Sequence, residues 1–185
     1  MTVLPTFTTG QVLTSSDANS MANSGLVYIT SGALSSTATN FVGCFSSTYT
    51  NYRITLTGLG IANSASWLYM RYLVGTTPSA TAYFGSHMGL NSVGGTSYPV
   101  WHSATQHYLM NTDSGTQSNG SFDIYNPQAS ARTGFMGQST NQQATSFLQY
   151  QGGGTHDLST QHDGLRFFAD YTMNGTVTIH GYRKA

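Results

Sequence analysis

The sequence predicts an all-β protein, an antiparallel sandwich or barrel that follows an extended N-terminal arm and one short helix. Three observations predict it. Short segments alternate apolar and polar residues with the period of two that marks half-buried strands. The clearest is NYRITLTGL, which sets Tyr52, Ile54 and Leu56 on one face and Arg53, Thr55 and Thr57 on the other. Gly, Asn and Asp gather in the polar stretches between such segments, at the near-regular spacing of an antiparallel β-fold. Aromatic residues make up 12% of the chain and recur inside the alternating segments, which separates it from disordered chains of similarly low charge.

The first segment, residues 1–25, differs from the rest. Leu4, Phe7, Val12 and Leu13 are apolar pegs on an extended arm. Thr14 is placed to cap a helix, with Asp17 three residues on as in a capping box, and Ala18, Met21 and Ala22 share one face at helical spacing. A helix of about ten residues is marginal alone, so it needs a surface: its own domain, a sister copy or another protein. Residues 26–185 then form the β-domain. Its strands are LVYIT, NFVGCF (with Phe41, Gly43 and Phe45 on one side), NYRITLTGL, SWLYMRYLVG, GSFDIY, TSFLQYQ, GLRFFADY and GTVTIHGYR. Apolar residues on both faces of SWLYMRYLVG predict cover on both sides. GTTPSAT, NSVGGTSYP, NTDSGTQSNG and QGGGTHDLSTQHDG read as turns, Pro127 ends its strand, and Asn174-Gly175 reads as a hairpin turn.

Charge excludes whole classes of function. Of 185 residues only 6% are charged, net charge is zero, Glu is absent and Lys184 is the sole lysine. An ordinary domain carries about a quarter. Nucleic-acid binding needs a basic footprint and membrane insertion needs a long apolar run; neither is here. Cys44, the only cysteine, is expected as a buried free thiol. The opening MTVLPTFTTG has no signal-peptide pattern.

No stretch carries a catalytic signal, and no enzyme activity, cofactor or metal is expected. His102 and His107 lie an odd number of residues apart, which on a strand puts them on opposite faces. THDLSTQHDG holds His156-Asp157 and His162-Asp163, able to gather round a cation but without a fixed ligand spacing. These residues serve equally as turn formers, as do Asp113, Asp123, Asp157, Asp163 and Asp170 as a set. Nucleophile-elbow, HExxH and phosphate-loop motifs are absent. Tyr98, Trp101, His102 and Tyr108 fall close together in SYPVWHSATQHY. Aromatic faces suit sugar C–H surfaces, which makes these four candidate receptor or glycan contacts beside the alternative of core or subunit interface.

Four phrases carry a resemblance. FSSTYTNYRI resembles a recurring phrase of small bacteriophage virion proteins. FTTGQVLTSSDANSM is similar to the N-terminal attachment segment of phage tail and fibre proteins, FDIYNPQASARTGF to their Asn-Pro crossing, and GLRFFADYTMNGTVTIHGYRKA to their C-terminal hairpin. They cover both ends and parts of the middle; residues 80–119 have no counterpart. The resemblance implies a virion surface protein with a jelly-roll-like β-sandwich, made in the bacterial cytoplasm and displayed on the particle. It implies a tail fibre or receptor-binding protein, with a capsid decoration protein or head fibre as the alternative. Leu4, Phe7, Val12, Leu13 and Met21 would anchor it to other virion proteins. A host-surface glycan is a possible partner. A homotrimer follows in part from the resemblance and in part from the excess of apolar strand surface.

Overall fold

A computed structural model describes residues 25–63, 66–93, 97–101, 105–112, 114–142 and 146–183, together with 9, 10, 12 and 14. The expected N-terminal helix lies outside the described residues, and among these there is no helix. Among the described residues thirteen strands follow one another: β1 (Leu26–Ala33), β2 (Ala38–Phe41), β3 (Asn51–Ile61), β4 (Ser66–Val74), β5 (Thr77–Pro78), β6 (Tyr83–Asn91), β7 (Ser97–Trp101), β8 (His107–Thr112), β9 (Ser118–Tyr125), β10 (Thr133–Gln142), β11 (Phe147–His156), β12 (Gly164–Phe168) and β13 (Met173–Tyr182).

They make two antiparallel sheets in a sandwich-like arrangement. The larger has eight strands in the order β1-β13-β3-β9-β10-β11-β6-β7. The smaller has five: β2, β12 and β4 in order, with β5 and β8 end to end along the far edge of β4. Alternation drives the closure. Tyr52, Ile54 and Leu56 turn inward from β3 beside Val177 and Ile179 of β13, Phe122 and Ile124 of β9 and Phe135 of β10. Leu68, Met70 and Tyr72 of β4, with Leu165 and Phe167 of β12, oppose them from the smaller sheet. Each such side chain contributes roughly 1.5–3 kcal/mol on burial, which holds the two sheets together without help from charge.

The loop before β3 is tied down by Tyr52. Its hydroxyl donates to the Ser46 carbonyl at 2.8 Å and accepts from the Ser46 N–H at 2.7 Å, while its ring packs 4.5 Å from Phe45. Cys44 is buried beside it and free, and its S–H donates to the Phe41 carbonyl. Burial pushes the thiol up to about 12. A thiol reagent at pH 8 is therefore expected to leave Cys44 unlabelled in the native protein and to label it on unfolding. Full labelling before unfolding would contradict this packing.

Three local expectations are corrected. Phe41, Gly43 and Phe45 do not share a strand face, because β2 stops at Phe41 and Val42-Gly43 form a turn. Gly152–Gly154 are not a turn: they lie inside β11, paired to β10 on one side and β6 on the other. Asn174-Gly175 is not a hairpin, since β12 and β13 belong to different sheets. Gly175 instead sits at a bulge of β13 against β3, with φ of +129°, a conformation open chiefly to glycine. Strands β5 to β8 and β10 are additional to those expected.

Candidate functional site

The outer face of the larger sheet gathers polar side chains into transverse rows. Core residues alternate with outward ones, so β3 presents Arg53, Thr55 and Thr57, and β9 presents Asn119, Ser121 and Asp123. Register extends the rows across β10 and β11. Arg53, Asp123, Met136 and Gly153 form one row; Thr55, Ser121, Gln138 and Gln151 form the next. Asn119, Thr140 and Gln149 begin a third.

Two depressions lie along these rows. One, of about 210 Å³, is bounded by Arg53, Asp123, Met136 and Gln151. The other, of about 390 Å³, is bounded by Thr55, Thr57, Asn119, Thr140 and Gln149. Both share Ser121 and Gln138, so they adjoin along the β9–β10 seam, and together they are the trough.

The groups at its two ends are held in place. Arg53 Nε and Nη2 donate to Asp123 Oδ1 and Oδ2, each at 2.8 Å. The Tyr182 hydroxyl donates to Asp123 Oδ1 at 2.7 Å, and the Arg53 guanidinium lies over the Tyr182 ring. Partial burial pushes the Asp123 carboxyl up, but the bonds from Arg53 and Tyr182 outweigh it and the net shift is downward. Burial, then the bond to Asp123, pushes the Tyr182 hydroxyl up to about 12. The charges of Arg53 and Asp123 cancel, leaving the trough neutral. At its other end β3 bulges between Leu56 and Leu59. Gly58, with φ of +61°, turns its N–H to donate to Asn119 Oδ1 at 3.0 Å. That bond fixes the Asn119 side chain and leaves its amide NH₂ to donate elsewhere.

The His-Asp pairs do a different job. His156 and His162 are fully buried between the sheets, with Nδ1 of His156 and Nε2 of His162 3.2 Å apart. His156 Nε2 lies 2.9 Å from Ser79 Oγ, and His162 stacks on Tyr72 with ring centroids 4.9 Å apart. Burial lowers both imidazoles, His162 to about 4. Their neighbouring aspartates are held elsewhere: Asp157 meets Arg132 and Thr155, and Asp163 accepts from the Gly75 N–H. The four do not converge, and among the described residues no group of three or more His, Cys, Asp or Glu is arranged to hold a metal ion.

The chain matches no protein-family model and no curated protein. Its site is therefore read from its own geometry.

The aromatic stretch is split by the fold. Tyr98 and Trp101 lie on β7, paired with Gly89 and Ser86 of β6 at the edge of the larger sheet. Tyr108 lies on β8 in the smaller sheet, half-buried and edge-on to Trp67 at 5.5 Å and Tyr69 at 5.0 Å. His102 lies outside the described residues. Of the anchoring candidates, Val12 is exposed at 79%; Leu4, Phe7, Leu13 and Met21 lie outside the described residues. Sequence reasoning placed Thr55 and Thr57 outward but missed Asn119, Ser121, Gln138, Gln149 and Gln151. The alternation of TGFMGQSTNQ, read as a strand, would have put Gln138 beside Met136 and Thr140 on one face.

Proposed function

We propose that this chain is a structural protein of a bacteriophage virion, a tail fibre or receptor-binding protein that anchors by its N-terminal segment and presents its β-sandwich to the host surface. Strand order is the observation that carries the reading. Set aside β5 to β7 and β10 to β11, and one sheet runs β1-β13-β3-β9 while the other runs β2-β12-β4-β8. This is the alternation of an eight-stranded jelly roll: first, eighth, third and sixth strands in one sheet, second, seventh, fourth and fifth in the other. Jelly rolls recur in viral capsid and lectin domains. A fold alone does not assign a function, so the resemblance of the arm, the Asn-Pro crossing and the chain's last segment is needed beside it.

The strands set aside point the same way. β10, β11, β6 and β7 all extend one sheet, which turns a jelly roll into a carrier for a broad, neutral face. Phe84, Met88 and Leu90, exposed on the outer side of β6, support burial against sister copies around a cyclic axis, a homotrimer in this reading. The protein acts by binding and not by catalysis; Asp123, Asp157 and Asp163 are each engaged in a structural contact.

Purified protein in excess is expected to slow adsorption of the phage that encodes it. Unchanged adsorption overturns the receptor-binding role. Imaging of the intact particle then decides position: density at capsid symmetry sites alone would move the protein to the head, as a decoration protein or head fibre.

A further inference from the structure

We propose that the trough along the β9–β10 seam binds an uncharged oligosaccharide segment. This rests on the receptor-binding reading and names the chemistry of the ligand and the residues that take it. The lining offers amides (Asn119, Gln138, Gln149, Gln151) and hydroxyls (Thr55, Ser121, Thr140). Each amide and hydroxyl both donates and accepts. A sugar hydroxyl does the same, so a polyhydroxylated chain pairs with this lining in many small combinations and needs no charge.

Charge decides between ligand classes. Arg53 is the trough's only cation, and Asp123 already neutralises it through two 2.8 Å bonds. An anionic glycan or a phosphate would have to break that pair or meet the carboxylate. Nucleic acid is excluded on the same ground. A peptide that adds a strand needs a free sheet edge, and the trough lies at the seam of two central strands with β3 and β11 on either side. A face that is polar in its middle and apolar at its margin remains. Met136, 56% exposed at one end, presents a polarizable thioether to the C–H face of a sugar ring.

Length and rigidity fit as well. From Asn119 to Asp123 the trough follows β9 for about 13 Å at roughly 3.3 Å per residue, room for a short run of rings. Every lining residue sits on a strand, Asn119 is oriented by Gly58, and Arg53 by Asp123 and Tyr182. The backbone and the two ends of the trough are thus set before a ligand arrives, which reduces the cost of binding.

The test uses the full chain on an array of neutral and anionic oligosaccharides, with calorimetric titration of whatever binds. Ser121→Trp fills the trough, and Gln138→Ala removes the amide common to both halves. Val42→Trp, at the exposed turn after β2, controls for an added aromatic. Binding to at least one neutral oligosaccharide is expected, weakened about tenfold or more by either trough variant and unchanged in the control, with all three proteins melting alike. Binding confined to anionic glycans, no glycan binding at all, or full affinity in both trough variants overturns the proposal. The two readings fail separately. If the trough variants bind neutral oligosaccharide as tightly as the parent and block phage adsorption as well as it does, the receptor role stands and the trough proposal falls. If they lose glycan binding while even the parent protein leaves adsorption unchanged, the trough stands and the receptor role falls.

Discussion

Gly152→Val is expected to lower the melting temperature by about 6 to 12 °C, the equivalent of roughly 3 kcal/mol in a chain of this size. Gly152 turns inward from β11, and a Cβ there would overlap the Ser86 carbonyl and the His87 backbone of β6. Gly154 meets Phe84 and Gly85 in the same way, and Gly153 meets the Phe135 carbonyl on the opposite strand, β10. Backbone cannot swing aside as a flexible side chain can, so the strands must separate. Gly134→Ala, where a Cβ would find only ordinary contact with Tyr125, is the matched control and should cost about 1 kcal/mol or less. Thermal denaturation followed by circular dichroism measures both. A Gly152→Val protein melting within two or three degrees of its parent, about 1 kcal/mol, would refute the close approach of β6 and β11.

Acid is expected to destabilise the protein well above the usual carboxylate range. His162 and His87 are each pushed down to about 4 by burial, and His156 is lowered too. The unfolded chain takes up these protons near pH 6.5, whereas the folded chain resists until about pH 4. The folded state is thus favoured fully above pH 6.5 and loses stability as pH falls from 6.5 towards 4, after which the loss levels off. His162 alone accounts for roughly 3 kcal/mol over that window, a large share of a typical total of 5–15 kcal/mol. Its surroundings offer little relief. Tyr72 and Tyr83 crowd the two imidazoles; Asp157 favours the charge on His156, and His156 opposes it on His162. The Asp123 carboxyl is also depressed, so its contribution is lost only at lower pH, below the histidine window. Urea melts at pH 7, 6, 5 and 4.5 should show a falling midpoint, and His162→Phe, which keeps a ring against Tyr72, should flatten the slope. A midpoint constant across that range would contradict the buried neutral cluster.

These two regions also show what can be read without coordinates. β3 was legible because Tyr52, Ile54 and Leu56 are large and its outward partners are polar. β10 was not, since its inward positions include Gly137, Ser139 and Asn141, which are small or polar where neighbouring backbone comes close. Gly152–Gly154 read as a turn because glycine marks turns most often, yet here it marks close strand approach. Asn174-Gly175 has hairpin chemistry, but only the change of sheet between β12 and β13 reveals a bulge. The trough was hidden for another reason. Thr, Ser and Gln on an outward face look alike whether they line a site or meet water, and what joins Arg53 to Asp123 and Ser121 to Gln138 is register between strands far apart in sequence. Tyr98 and Tyr108, close in the chain, were assigned together for the lack of that same information.

Strand order also sets a schedule for synthesis. β13, the last of the described strands, is inserted between β1 and β3. β1 therefore has no neighbour to pair with until β13 is made, whereas β3 can already pair with β9, and β2 waits likewise for β12. Contacts of such long sequence separation close slowly. The nascent chain must therefore stay soluble with β1 and β2 unpaired while the strands between them and β12 find one another, and it closes only when β12 and β13 have emerged. A chain that stops before β13 leaves β1 without its pairing partner and cut off from β3, and is not a smaller version of the whole.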